Sequence, residues 1–283
     1  MYKIKKGDIV GRVSYGKDIL FTVEKIVKRM DGTKVAILKG LIIRIEADAD
    51  VEDLVPMHKQ QVKTNMRSLE DKLENKVKRS NSSNDNKKTE KRKLFSRELE
   101  SEYGTILHLD GDMRYAEKSL KYYRKLGLNA IVRNIPENKQ EYVVMDLLNK
   151  YKPDILVITG HDGMIKNGTA YNDIYNYRNS KYFIRTVAQA KKWVNMTGKD
   201  LVIFAGACQS YYEALVAAGA NFASSPARVL IDFMDPLVVA EKVATTEDYK
   251  YITINDIADE LRDGTKGING IGARGKKLTK EES

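Results

Sequence analysis

His161 and Cys208 stand out in this chain because of where they fall. His161 follows the apolar run Ile155, Leu156, Val157, Ile158 and then Thr159 and Gly160. Cys208, the only cysteine, follows Leu201, Val202, Ile203, Phe204 and the small residues Ala205, Gly206 and Ala207. Continuous apolar runs of this length are typical of strands buried on both faces. Each run releases one reactive side chain just past its carboxyl end. A thiolate is a nucleophile, and an imidazole beside it can take a proton and give it back to a leaving amine. Small residues before Cys208 let a polypeptide carbonyl approach. The backbone N–H groups of Cys208 and Gly163 are then the expected oxyanion donors. The helix expected from YYEALVAAG starts just after Cys208, and its N-terminal end favours a thiolate. A free cysteine is usually a buried small hydrophobe. That plain alternative does not explain why both residues fall at strand ends.

The elements that must position this pair follow a regular rhythm from residue 104 onward. TILHLDGD reads as a strand, YAEKSLKYYRKLG as an amphipathic helix, NAIVRNIP as a strand and QEYVVMDLLNKYK as a helix. DILVITGHDG, SKYFIRTVAQAKKWVNMTG, DLVIFAGACQS and YYEALVAAG continue the alternation, and NFASSP reads as a short fifth strand. This pattern predicts an open, mostly parallel α/β sheet with helices on both faces over residues 104–283. Functional groups gather at the carboxyl ends of such strands. His161 and Cys208 are 47 residues apart, room for one crossover helix, so their strands are expected to be neighbours or near-neighbours.

Residues 1–57 are short β-branched runs divided by Gly and Asp turns, as in Asp31-Gly32-Thr33. They predict a small SH3-like β-barrel domain, a fold commonly used for binding. Residues 58–103 are polar, with nine Lys/Arg against two Asp/Glu from Lys76 to Arg97. This stretch is expected to be a basic flexible linker, although MRSLEDKLENKV is able to form a helix. Arg79, Arg92 and Arg97 are its candidate self-cleavage sites.

Composition narrows the class. Of 283 residues, 42% are hydrophobic and 31% charged, and no window approaches the length of a membrane span. One cysteine allows no intramolecular disulfide, which fits a cytoplasmic protein. Much of the net charge of +10 sits in the linker, where only Phe95 interleaves the basic residues, so nucleic acid is not the expected partner. No Cys/His cluster suggests zinc, and no metal or cofactor is expected. The G-x-G-x-x-G spacing from Gly270 to Gly275 has no following helix and is discounted as a dinucleotide site. His108 lies inside the first α/β strand and reads as structural, and His58 as solvated.

The two blocks ILVITGHDG and LVIFAGAC resemble the His and Cys blocks of caspase-like cysteine peptidases. One departure is Asp162, which stands where the usual motif has glycine directly after histidine. The blocks GDIVGRVSYGKDILFTVEKI, LHLDGD, TGHDGM and GACQSYYEAL are similar to the YabG family of sporulation-specific proteases. That resemblance implies a caspase-like fold, a His/Cys dyad and cleavage next to basic residues. It also implies protein substrates from the spore coat and germination machinery, in the mother-cell cytoplasm with association to the coat. A pocket for Arg or Lys needs a buried carboxylate. Asp110 and Asp112, after the first α/β strand, are the candidates, with Asp232 and Asp235 in a later loop as further ones. Ser224 and Ser225 are expected along the substrate backbone. The alternative reading is a non-catalytic coat or nucleic-acid-binding protein that uses the basic segment and the β-rich domain.

Overall fold

A computed structural model describes residues 3–94, 101–165 and 170–279. The N-terminal strands are β1 (Ile9–Arg12), β2 (Phe21–Lys28), β3 (Lys34–Gly40), β4 (Glu46–Asp50) and β5 (Leu54–Pro56). They form one antiparallel sheet in the order β4-β3-β2-β1-β5. The β2–β3 turn follows from its residues: the Asp31 carboxylate accepts from both the amide and the hydroxyl of Thr33. The sequence predicts a closed barrel here. The structure instead shows an open sheet, with no pairing of β4 to β5 among the described residues. All three residues of β5 are taken up against β1.

The stretch expected to be a linker contains one long helix, α1 (Lys59–Leu94). It is rich in Lys, Glu and Arg, which favour helix, and its N-terminal part carries Val62, Met66, Leu69, Leu73 and Val77 at helical spacing. Val77 is buried and Leu73 partly so, both packed against one core of the α/β sheet.

The α/β part follows the predicted rhythm. Its elements are β6 (Ile106–Asp110), α2 (Met113–Lys125), β7 (Ala130–Asn134), α3 (Glu137–Tyr151) and β8 (Ile155–Thr159). Then come α4 (Ser180–Thr197), β9 (Val202–Ala205), α5 (Tyr212–Ala217), β10 (Phe222–Ser224), α6 (Asp235–Thr245) and β11 (Ile268–Gly270). The sheet order is β11-β10-β9-β8-β6-β7, parallel except for β11. All of β6, β8 and β9 is buried, as continuous apolar runs require.

Alternate strand residues feed two cores. Leu107, Leu156, Ile158 and Ile203 pack with Val144 and Leu148 of α3 and Phe183, Val187 and Trp193 of α4. Ile106, Val157, Val202 and Phe204 pack on the other face with Tyr122 and Tyr123 of α2 and with Leu237 and Val243 of α6. The Trp193 indole donates to Asn149, which ties α4 to α3. A third cluster joins the N-terminal sheet to the carboxyl edge of the large one: Val10, Phe21, Leu38 and Ile45 pack with Ile231 and Cys208. The sole thiol thus lies within the cluster where the two sheets dock.

Candidate active site

β8 and β9 are adjacent and parallel, with Ile158 opposite Ala205. His161 and Cys208 each lie three residues beyond that registered pair, so they leave the sheet side by side. The Thr159 hydroxyl donates to the Gly206 carbonyl and ties the two strand ends together. Gly206 makes the exit turn at φ +110°, where an added Cβ would stand 2.6 Å from the Ser224 hydroxyl.

His161 is completely buried. Its amide donates to the Glu137 carboxylate at 2.8 Å, so the start of α3 holds its backbone. Its ring stacks on Tyr115 with centroids 5.2 Å apart. Nε2 lies 3.2 Å from the Gly40 carbonyl and 4.0 Å from Asp112, while Nδ1 has no partner. Burial, reinforced by Lys39 and opposed by Asp112, pushes its pKa down to about 3. The Cys208 thiol is also buried and accepts from the Ile231 amide at 3.1 Å. Burial pushes this thiol up, and the Ile231 amide and Arg44 offset only part of that. The resting pair is therefore thiol and neutral imidazole.

The cleft they share is filled by the chain itself. Residues 41–45 connect β3 to β4, and this hairpin tip enters between the loops that follow β8 and β10. Its carbonyl at Arg44 accepts two hydrogen bonds, 3.2 Å from the Cys208 amide and 3.1 Å from the Asp162 amide. Before Arg44 the chain runs antiparallel to residues 231–233. The Arg44 amide faces the Ile231 carbonyl at 3.4 Å, and the Phe233 amide donates to the Ile42 carbonyl at 3.2 Å. After Arg44 it runs parallel to the His161 loop, where the Glu46 amide donates to the Asp162 carbonyl at 2.7 Å. Gly163 makes this approach possible, since a Cβ there would lie 2.2 Å from the Glu46 carbonyl oxygen.

The Arg44 side chain is completely buried. Its guanidinium donates to Asp110 at 3.0 Å and to the Phe233 carbonyl at 3.3 Å, and it stacks on the Tyr115 ring at 4.8 Å. Burial alone would raise the Asp110 pKa. Arg44 and His108 more than offset it, and the carboxyl is held well below its usual range. The Asp112 amide also donates to Asp110, at 2.9 Å.

The expected residues are sorted by this geometry. Asp110 is the carboxylate under the basic side chain. Asp112 caps α2 through the Arg114 amide and sits beside His161, so its place is with the imidazole. Asp235 accepts from the Asp232 and Arg262 amides, and Asp232 supplies main chain to the hairpin bridge. Ser225 donates to Val229, and the Ser224 hydroxyl is buried without a partner. The main chain along the hairpin comes from residues 231–233. The Gly163 amide, expected as an oxyanion donor, is taken by the Asp162 carboxylate at 2.9 Å. Arg79 is exposed on α1 and Arg92 lies within the same helix. Arg97 falls outside the described residues. His108 is buried in β6, its Nδ1 3.0 Å from the Tyr123 hydroxyl.

Sequence reasoning missed Arg44 and Asp162. Arg44 is the lone charge in the run Leu41, Ile42, Ile43, Arg44, Ile45, and that isolation was the available signal. Asp162 directly follows the histidine, where its own amide is the next one along. Its buried carboxylate accepts from the Ser180 and Ser210 hydroxyls and the Asn179 amide, which fixes the loop. Burial, opposed by these hydrogen bonds, raises its pKa to about 6.

An extended main chain gripped on both sides, with one carbonyl singled out by two N–H donors, is how a protease holds the bond it breaks. Comparison with known proteins gives the same class. A family model described as YabG peptidase U57 matches residues 5–281. The sporulation-specific protease YabG of Bacillus subtilis (strain 168) is 38% identical over 275 residues, covering 95% of this chain and 94% of that protein. The chain belongs to the YabG peptidase family and is a protease. No solved structure matches it. The alternative of a non-catalytic coat or nucleic-acid-binding protein gives way to this family membership. Among the described residues no helix is long and apolar enough to cross a membrane.

Proposed function

We propose that the protein is a cysteine endopeptidase that cuts after Arg or Lys. One observation carries the reading: a single residue, Arg44, has its carbonyl on the Cys208 and Asp162 amides and its guanidinium on buried Asp110. A carboxylate at the floor of an otherwise apolar pocket rewards a cation and leaves a neutral side chain facing an unpaired charge. The caspase-like reading of the fold is supported by the two reactive residues leaving adjacent parallel strands, with the acidic residue at the end of a third.

In this mechanism Cys208 Sγ attacks the carbonyl carbon of the residue held on Asp110. The oxyanion develops against the amides of Cys208 and Asp162, each donor being worth about 10²–10³ in rate in comparable sites. His161 passes the thiol proton to the leaving amine and later takes one from the water that hydrolyses the thioester. Asp112 steadies the imidazolium that forms in between. Substrates are proteins made during sporulation, among them coat and germination-related ones, met in the mother cell. Self-processing at Arg79, Arg92 or Arg97 would require α1 to unwind around the cut.

A panel of fluorogenic peptides ending in Arg, Lys, Asp, Asn or Leu tests the reading with parent, Cys208→Ala and His161→Ala proteins. Release from Arg and Lys peptides alone, lost in both variants, is expected. Turnover that survives Cys208→Ala would rule the reading out.

A further inference from the structure

We propose that the peptide bond between Arg44 and Ile45 is the protein's own first substrate. The β3–β4 hairpin occludes the cleft while intact, and Cys208 cuts it in cis. This rests on the peptidase reading above. The argument is one of register. A segment that merely blocked a cleft would need no particular alignment. Here the carbonyl on the two amides belongs to the same residue whose side chain fills the acidic pocket. The chain before it pairs with residues 231–233 and the chain after it with the His161 loop, so the grip extends to both sides of one bond. The chain has 49 Lys and Arg residues. The one seated in the cleft is flanked by Ile43 and Ile45 in an extended bridge on either side.

The step balances with one water. Sγ of Cys208 bonds to the Arg44 carbonyl carbon, the bond to the Ile45 nitrogen breaks, and His161 delivers the thiol proton to that nitrogen. Water then attacks the thioester, gives a proton back through His161 to the sulfur, and leaves an Arg44 carboxylate and an Ile45 amine. With the hairpin in place, burial disfavours both thiolate and imidazolium, so the first cut is slow. The β3–β4 ladder pairs Lys39 with Glu46 and continues to Val35 with Asp50, and beyond it the Gly40 amide donates to the Ile45 carbonyl and the Leu41 amide to the Leu20 carbonyl. Only Ile42, Ile43 and Arg44 lie outside these bonds, so the new end at Arg44 can swing out while the five-stranded sheet stays paired. Water then returns to the dyad, and the acidic pocket opens to other proteins.

The test follows intact chain mass under denaturing conditions, together with hydrolysis of an Arg reporter peptide. Parent protein should accumulate a chain beginning at Ile45, at a first-order rate unchanged by dilution, and should show a lag in peptide hydrolysis that ends as the cut completes. Cys208→Ala should stay whole. Arg44→Lys keeps a cation for Asp110 and should be cut at the same bond more slowly. Arg44→Gln removes the cation that seats the hairpin on Asp110, so the uncut hairpin should leave the cleft: the chain should stay whole at this bond yet hydrolyse the peptide without the lag. A parent that hydrolyses the peptide while its own bond after Arg44 stays intact overturns the proposal and leaves the peptidase reading standing. Cutting that slows with dilution overturns the cis step. If parent, Arg44→Lys and Arg44→Gln are all inert toward the peptide while folded by circular dichroism, the peptidase reading falls and takes this proposal with it.

Discussion

The carbonyl oxygen of Arg44 sits 3.2 Å from the amide nitrogen of Cys208, although 164 residues separate them in the sequence. This contact joins the N-terminal sheet to the carboxyl edge of the α/β sheet. The same residue has its carbonyl on the Cys208 and Asp162 amides and its guanidinium on Asp110. The N-terminal sheet is therefore part of the site's architecture as well as a neighbouring module.

The buried pair of Arg44 and Asp110 makes a stability prediction. Removing one partner leaves the other charge buried and unpaired, at a cost of about 3–5 kcal/mol. Asp110→Leu or Arg44→Met alone should lower the unfolding free energy by that order. The two combined should recover most of the loss. Urea unfolding of the parent, both single variants and the double variant measures the coupling, and strictly additive losses would contradict it.

Cys208 predicts a pattern of chemical access. The thiol is buried in the cluster that holds Ile45 and Ile231 and stays neutral in the intact chain. Iodoacetamide should therefore modify the intact chain slowly under native conditions, and Arg44→Gln much faster. Equal rates would mean that the hairpin does not cover the thiol.

Much of this was legible in the sequence because it rests on local periodicity. The apolar runs ending at Thr159 and Ala205 could only be buried parallel strands, and their ends located His161 and Cys208. The same rule of strand ends offered both Asp110 and Asp112, and only the fold shows which of them meets Arg44. The barrel did not follow, because closure depends on which edge strands meet, and residue alternation is silent on that. Of the helix Lys59–Leu94 only the part around MRSLEDKLENKV was legible, from the spacing of Met66, Leu69, Leu73 and Val77; the run SNSSNDN beyond it has neither apolar spacing nor strong helix formers. Arg44 and the Asp162 amide were missed because they meet only when two sheets dock. That docking is a long-range contact with no periodic trace.

The Asp162 carboxylate makes a kinetic prediction. It binds no part of the hairpin, but it holds the Ser180, Ser210 and Asn179 contacts around the amide that does. Asp162→Ala should lower kcat by roughly tenfold to a hundredfold, part of what a lost oxyanion donor costs. KM for an Arg peptide should change little, since Asp110 is untouched. A rise in KM at constant kcat would place Asp162 in binding instead.

Asp235 makes a pH prediction. Burial raises its pKa to about 7, with Asp232 adding to the shift and the Arg262 and Asp232 amides opposing it. An unfolded aspartate titrates near about 3.9. Between those values the folded chain holds a proton that the unfolded chain has lost, so this group's contribution to stability falls as pH rises. Asp235→Asn mimics the protonated form. Its urea midpoint should therefore decline less than the parent's between acidic and neutral pH, and an equal decline would contradict the assignment.

The most direct measurement is covalent capture of the thiol by a peptidyl acyloxymethyl ketone ending in Arg, compared with the same reagent ending in Leu. The protein is Arg44→Gln, and the adduct is mapped by peptide mass. The account predicts one adduct, on Cys208, formed by the Arg reagent, strongly reduced with the Leu reagent, and lost in a chain that also carries Asp110→Asn. Equal capture of both reagents, or capture that persists without Asp110, would contradict it.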